Sequence, residues 1–412
     1  MATGRRGRTR VQGSSPYDVV VVGGGVVGCS IVYRLSQAGQ KVLLLEQRDI
    51  CSAASGRNGG MTGEGSSLHA GAGNAVYDLT SANLRMLGEL SAELEVDFQL
   101  RQPGTLEIAA TQSQWEHLQT AVQAQRAAGL HVELLDAHET RKLMPPIAEA
   151  VIGAKLAHGH GHLWPFALVH GLAAAAQRHG AEIRTGTEVR QLLRRGGQVA
   201  GVVTSSGPIE AGQVVLATNA YTPLLLPELP EGSIIPARGQ ILVTQPMPPM
   251  LAHPFGTNFD KEYGRQVPGG PILCGGYRRL DDNAGLGHYD ERVTMQVLAG
   301  IARILSELFP SLKQVQVVRC WSGIMGFTAD GLPLIGQMDG HPGLTVAAGF
   351  NGGGFSWGPI VGKVLAELLT GKPVDFDLTP FRPSRFAESG TAWNNPFTAG
   401  ESTDRAAIPI PA

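Results

Sequence analysis

The run Gly23-Gly24-Gly25-Val26-Val27-Gly28 is the part of this 412-residue sequence best suited to chemistry. It directly follows four valines, Val19 to Val22, and directly precedes an apolar stretch with helical spacing. At such a strand-to-helix turn Gly23 permits a tight reversal, Gly25 lets the backbone approach a pyrophosphate, and Gly28 lets the helix lie close to the strand. Val26 and Val27 open the helix whose first N–H groups would meet the anion. The next β-rich run ends at Glu46, beside Gln47, where a carboxylate accepts hydrogen bonds from a ribose. With strand, helix and acid in this register, the glycines predict a bound dinucleotide.

The segment Ser52-Ala53-Ala54-Ser55-Gly56-Arg57-Asn58-Gly59-Gly60 separates two dinucleotides, since an NAD domain has no need of it. Hydroxyls at Ser52 and Ser55, the small Gly56 and the polar Arg57 and Asn58 suit a pyrophosphate and a flavin edge. Side chains larger than Gly59 and Gly60 would collide with an isoalloxazine ring. The expected cofactor is therefore FAD.

The elements that must position these residues alternate in type. An apolar run at 18–22, a helix over 26–38 closed by Gly39 and a second run at 41–46 begin a βαβ unit. Further helices are expected around Leu84 to Leu94, over 164–179, around Val293 to Leu305 and from about Pro359 to Leu369. Short β-branched runs at 182–185, 198–204, 213–217, 240–244, 271–274 and 344–348 read as strands. The predicted fold class is α/β, a discontinuous FAD-binding Rossmann-like domain with a substrate domain built on a mostly antiparallel sheet with helices. Residues 16–94, 151–224 and 319–385 are assigned to the first domain, and 95–150 and 225–318 to the second. Residues 1–15 read as a disordered basic tail and 386–412 as an extended C-terminal tail. Glycine supplies 55 of the residues, which implies many tight turns.

Composition removes several function classes. A net charge of -2 leaves no global field for a polyanion, so nucleic acid is not an expected partner. No uncharged apolar run reaches the roughly 18 residues of a membrane span. Cys29, Cys51, Cys274 and Cys320 show no metal-ligand spacing, and the N-terminus lacks a secretory pattern, which fits a reduced, cytoplasmic compartment. The alternation His158-Gly159-His160-Gly161-His162 has no carboxylate or cysteine to complete a ligand set, so no metal is expected.

Over most of its length the chain resembles the FAD-dependent amine and amino-acid oxidoreductases, which include D-amino-acid oxidase, glycine oxidase, and sarcosine oxidase β and proline dehydrogenase β types. Beyond the two segments above, the likeness rests on Val214-Val215-Leu216-Ala217-Thr218-Asn219-Ala220, on Trp321-Ser322-Gly323 through Gly336, on Ala347 to Phe355, and on Leu378-Thr379-Pro380-Phe381. The resemblance implies hydride transfer from the carbon bearing the amine to flavin N5, giving an imine that water hydrolyses. It places Gly323 and the loop Gly352, Gly353, Gly354 and Phe355 at the flavin, the loop facing the pyrimidine edge, and the Val189 backbone at the adenine. It sets Tyr263 and Arg265 in a strand over the flavin, and these are the candidate catalytic residues. Period-two alternation puts both on one face, with Arg265 as a fork for a substrate carboxylate or as a structural arginine. Arg57, Glu64, Trp321, Met325 and Asn351 are the candidate substrate contacts.

Departures from the family matter as much. Glycine and D-amino-acid oxidases carry an arginine in the stretch where this chain has Met325. A second loop arginine would fall near Gly352, and the lysine of monomeric sarcosine oxidases near Ser356. The lysine linked there to oxygen reactivity maps close to Leu273, so the electron acceptor is oxygen or a dye or protein. Two substrate classes stay open. One is a small amino acid or secondary amine such as sarcosine, proline or glycine; the other is a cationic, γ-glutamylputrescine-like amine read by Glu64, whose alternative role is a solvated loop carboxylate. Cys320 lies at the wrong spacing for a covalent flavin link, which leaves the FAD non-covalent. The chain could also be a flavin-bearing subunit of a hetero-oligomeric dehydrogenase, or form a homo-oligomer.

Overall fold

The structure, a computed structural model, describes residues 16–64, 74–257 and 262–389. Two eight-stranded sheets organise it. In the first, the strand Tyr17–Val22 is central and pairs in parallel with Val42–Leu45 on one side and Gly207–Leu216 on the other. Glu182–Arg184 and Leu344–Ala348 extend it in parallel, and Leu334–Gln337 closes one edge antiparallel. The central strands are buried on both faces, as their continuous valines and leucines require. The α/β class expected from the sequence is the one observed.

The helix Val26–Gln37 covers one face and ends where Gly39 takes φ +77. Against it lies Gly354–Leu369, which starts five residues before the expected Pro359. Pro359 has no N–H to give the Phe355 carbonyl, and that oxygen instead accepts from the buried Asn83 Nδ2 at 3.0 Å, while Asn83 Oδ1 accepts the Ile360 N–H at 3.1 Å. Asn83 lies in the helix Asn74–Leu94, so a neighbouring helix repairs the break. Helix contact is close because Gly362 has no side chain: a Cβ there would sit 2.6 Å from Ser30.

The second sheet runs in the order Val317–Phe327, Ile235–Pro246, Pro271–Gly275, Tyr263–Gln266, Phe255–Thr257, Thr105–Ala109, Gly153–Ala157, Val132–Asp136. All its pairs are antiparallel except Phe255–Thr257 with Thr105–Ala109. It thus takes Gly153–Ala157 and most of Val317–Phe327 from stretches that the sequence reading assigned to the first domain. Residues directly opposite in a ladder share a face. The registers Gly323 with Gly239, Trp321 with Ile241, Met325 with Ala237, Ile241 with Gly275, and Tyr263 with Gly275 therefore define one face. That face carries Trp321, Gly323, Met325, Gly239, Gly275, Tyr263 and Arg265. The other buries Leu242, Ile272, Cys274 and Phe255 against the helix Met295–Leu308. No helix among the described residues is long and apolar enough to cross a membrane.

Candidate functional site

A cavity of about 550 Å³ opens where the first sheet's glycine turn meets the second sheet. The turn is sterically obligatory. Gly23 has φ +110, and a Cβ on Gly28 would lie 1.9 Å from the Gly23 carbonyl oxygen. The helix Val26–Gln37 therefore presents its N-terminus at the cavity wall, where Ser55 Oγ accepts the Val26 N–H at 3.0 Å. Gly25 would crowd that hydroxyl if it carried a side chain, with 2.9 Å between them. A second N-terminus, that of Gly354–Leu369, meets the same cavity through Gly354 and Phe355. Two positive helix ends suit a polyphosphate.

At one side Glu46 lines the cavity, its carboxylate accepting the Gly24 and Arg48 N–H groups at 2.8 Å each. Gln47, Thr187 and Val189 continue that wall. On the other side Asn58, Ile324, Met325 and Gly352 surround the space. A slot with anion-binding helix ends, a buried acid on one side and apolar walls on the other matches the chemistry of FAD. When bound, FAD would supply a two-electron acceptor.

Several expected contacts shape the loops, and Asn58 does so while also lining the cavity. Ser52 Oγ accepts the Asp49 N–H at 3.4 Å, and Gly56 is small because a Cβ would meet the Cys51 carbonyl at 2.0 Å. Asn58 Nδ2 donates to the Ala54 and Ser55 carbonyls at 2.8 Å each, and its Oδ1 accepts the Gly60 N–H at 2.7 Å. Gly353 is the residue before the helix, its N–H donating to the Phe350 carbonyl. The Tyr263 ring crosses Gly59, where a Cβ would be 2.7 Å away, and its hydroxyl lies beside Gly275. Burial pushes the Tyr263 phenol up to about 12, so it stays protonated at neutral pH.

The three side chains expected to hold substrate most directly are engaged elsewhere. Arg265 Nε donates to the Gly59 carbonyl at 2.5 Å, Nη2 to the Leu163 carbonyl at 3.1 Å, and Nη1 lies 3.0 Å from His162 Nδ1. It clamps the Gly59–Gly60 turn and presents no fork to a carboxylate. Arg57 Nη1 donates to Glu291 at 2.8 Å and to the Ser322 carbonyl at 3.0 Å, and Nε donates to the Ser52 carbonyl. Arg57 also accepts the Trp321 Nε1–H on its carbonyl at 3.2 Å and packs over Gly323. Asn351 Oδ1 accepts the Thr328 N–H at 2.9 Å and its Nδ2 donates to the Gly349 carbonyl at 2.8 Å. All three hold backbone because the carbonyl groups of these irregular loops have no ladder partner to pair with.

The Glu64 carboxylate accepts from Ser81 Oγ at 2.6 Å, while the Glu64 backbone N–H donates to His160 Nε2 at 3.1 Å, and that nitrogen lies 3.8 Å from the carboxylate. Burial works to raise its pKa, but the bonds from His160 and Ser81 prevail and hold it below the usual range. Two residues carry loads that the sequence reading did not assign to them. Glu291 joins Arg48, Arg57 and Tyr221 from across the chain. Asn219, at φ +46, accepts the Gly349 and Phe350 N–H groups at 2.9 and 3.2 Å. Asn219 lies in the segment Val214 to Ala220 that carries the family resemblance, separated by two residues from the strand Gly207–Leu216, but no role was read from it there.

The histidine run disperses. His162 goes to Arg265, His160 to Glu64, and His158 to Glu133 at 2.9 Å. His131, Glu133 and His158 do gather potential ligand atoms within 4.8 Å. The two imidazoles, however, stack at 4.0 Å and 19°, so no single ion lies in both ring planes.

Residues 18–368 match the family described as DAO, FAD dependent oxidoreductase. The chain belongs to this family of FAD-dependent oxidoreductases. It is similar to a glycine oxidase of Geobacillus kaustophilus strain HTA426, 30% identical over 376 residues that cover 90% of this chain and 97% of the relative. It is equally similar to the gamma-glutamylputrescine oxidoreductase of Escherichia coli K12, 30% identical over 399 residues covering 93% and 90%. Its fold superposes on the crystal structure of L-proline dehydrogenase from P. horikoshii with a TM-score of 0.81, 26% identity and coverage of 91% and 99%.

As an FAD-dependent oxidoreductase, the protein has one cysteine whose position bears on flavin attachment. Cys320 pairs with Leu242 and packs with the core on the far face of the second sheet, one residue out of phase with the cavity-facing Trp321. Acid precipitation of the holoenzyme is expected to leave all yellow colour in the supernatant. Colour retained in the pellet would reverse this.

Proposed function

We propose that the enzyme oxidises the C–N bond of a small amino acid or secondary amine, of the sarcosine, proline or glycine kind, to an imine that water then hydrolyses. The observation that carries this reading is the glycine-bearing face of the second sheet. Gly239, Gly275 and Gly323 let Met325, Tyr263 and Arg57 lie close against that face, and Met325 from the same face lines the cavity. With Ile324 and Met325 on the cavity wall, a small substrate would meet apolar side chains there. Tyr263, protonated by virtue of its high pKa, serves as wall and hydrogen-bond donor, not as base. Arg265 and Asn58 fix the turn against which the substrate would be pressed, so catalysis rests on orientation.

A cationic, γ-glutamylputrescine-like amine is the second substrate reading, supported by the identity to the E. coli relative and by the acid at Glu64. The bonds of Glu64 to Ser81 and His160 weigh against it. A role as the flavin-bearing subunit of a larger assembly is supported by the edge strand Val317–Phe327, where Val317 and Val318 are 44% and 60% exposed.

The test is anaerobic bleaching of the flavin absorbance by glycine, sarcosine, L-proline, D- and L-amino acids, putrescine and γ-glutamyl amines. Selective bleaching by a small amino acid is the expected result, and admitting air then identifies oxygen or another acceptor. Bleaching by the polyamines alone would overturn the first reading. No bleaching of bound flavin by any compound would favour the subunit role.

A further inference from the structure

Three stretches of the first domain supply much of the cavity wall: Glu46 with Gln47, Ser55 with Asn58, and Thr218 to Tyr221. All three are tied to one short segment, residues 289–291, which lies between the strand Pro271–Gly275 and the helix Met295–Leu308. Tyr289 stacks its ring on Tyr221, with 5.1 Å between centroids, and its hydroxyl donates to the Ala220 carbonyl at 3.0 Å. The Glu291 carboxylate accepts from Arg57 Nη1 at 2.8 Å and from Arg48 Nη1 at 3.2 Å to each oxygen, and the Tyr221 hydroxyl lies 3.4 Å from its Oε1. Arg48 follows Gln47 and Arg57 precedes Asn58, so a single carboxylate reaches every one of the three stretches.

The segment is itself fixed to the second sheet. The buried Arg238 holds Asp281 through two bonds of 2.8 and 2.6 Å, and its Nη1 donates to the Arg292 carbonyl at 3.0 Å. Ser322 Oγ donates to the Glu291 carbonyl, and Gln240 Oε1 accepts the Thr294 N–H at 2.7 Å. With its own backbone and that of its neighbours held in place, Glu291 presents a carboxylate that gives up little further freedom on pairing. The side chains of Glu291, Arg57 and Arg48 are 27%, 29% and 34% exposed, so the pairs are sheltered but still within reach of salt.

We propose that Glu291 is a positioning residue for the cofactor, clasping the three wall stretches from the second sheet and so slowing FAD release. It acts through Arg48, Arg57 and Tyr221, since Glu291 does not itself line the cavity. The role is the same whichever amine is oxidised. The sign of its effect is diagnostic. FAD carries an anionic pyrophosphate, so removal of a neighbouring negative charge would by itself slow release. Faster release on that removal therefore reports the lost tie.

The experiment follows FAD release from the loaded enzyme, by the rise in flavin fluorescence after dilution, between about 0.05 and about 0.5 M NaCl. Wild-type release is expected to quicken with salt. Glu291→Gln is expected to release FAD about tenfold faster at low salt and to lose most of the salt response. In an Arg48→Met background the same substitution is expected to change the rate by about threefold or less, because one of its partners is already gone. A Glu291→Gln rate at or below the wild-type value, an effect undiminished without Arg48, a salt response that survives in full, or a wild type indifferent to salt overturns the proposal. Should Glu291→Gln not fold, Arg48→Met decides alone: faster release with a weakened salt response is expected, and a wild-type rate and response overturn the proposal.

Discussion

Gly28→Ala is expected to yield protein that purifies without flavin and is less stable by about 3 kcal/mol or more. The added methyl would stand 1.9 Å from the Gly23 carbonyl oxygen and 3.1 Å from its carbon. Both are backbone atoms of the turn that shapes the cavity, so no rotamer change relieves the clash. Gly23 in turn lies against the Ala217 carbonyl, which a Cβ on Gly23 would approach to 2.6 Å. The helix Val26–Gln37 must therefore tilt away from the strand Tyr17–Val22, taking its N-terminal N–H groups with it. Gly39→Ala is the matched control. Gly39 also has a positive φ, +77, but nothing lies within 4 Å of its Cβ position, so the cost is the backbone strain of about 1 kcal/mol and flavin is retained. The flavin-to-protein absorbance ratio and equilibrium denaturation of the two variants check the contrast. Equal flavin content in both would show that the turn does not hold the cofactor.

That contrast also marks what the chain makes legible before folding. The glycine turn, the helix after it and Glu46 lie within 24 consecutive residues, so steric logic and periodicity reach all of them. The parallel strands announce themselves because they are buried on both faces and read as unbroken apolar runs. Thr105–Ala109 and Val132–Asp136 did not, since each is short and carries polar residues on a half-exposed face, and the short Gly153–Ala157, buried throughout, is interrupted by the charged Lys155. The helix beginning at Gly354 was hidden by Pro359, whose defect is repaired by Asn83, 276 positions away.

The candidate site divides along the same line. Gly23, Gly25, Glu46, Ser55 and Asn58 act through neighbours in sequence, and their placement around the cavity follows from local geometry. Arg57, Arg265 and Asn351 have the right chemistry for a substrate, but a donor goes to whichever acceptor the fold leaves unpaired. Their acceptors, Glu291, the Gly59 and Leu163 carbonyls and the Gly349 carbonyl, are mostly set by contacts more than a hundred residues apart.

Arg265→Met then gives the second large effect, and it separates a clamp from a substrate fork. Removing the guanidinium leaves the Gly59 and Leu163 carbonyls buried without their donor, at a combined cost of about 3–5 kcal/mol to stability. The Gly59–Gly60 turn loses its tie to the second sheet, so FAD affinity is expected to fall and the flavin spectrum to shift. His162 supplies an independent readout. Burial first, and then the charges of Arg265 and Arg101, hold its imidazole down to about 4. Without Arg265 its pKa is expected to rise, which an NMR titration of the folded variant would register. The relative affinity of the FAD-loaded protein for methoxyacetate and its neutral analogue methoxyacetamide is expected to be unchanged in Arg265→Met. The opposite pattern, stability unchanged but carboxylate preference lost with Arg265, would return the fork to Arg265. A clamp and a fork are thus told apart by what the mutation moves: the fold and the flavin for a clamp, the charge preference of the ligand for a fork.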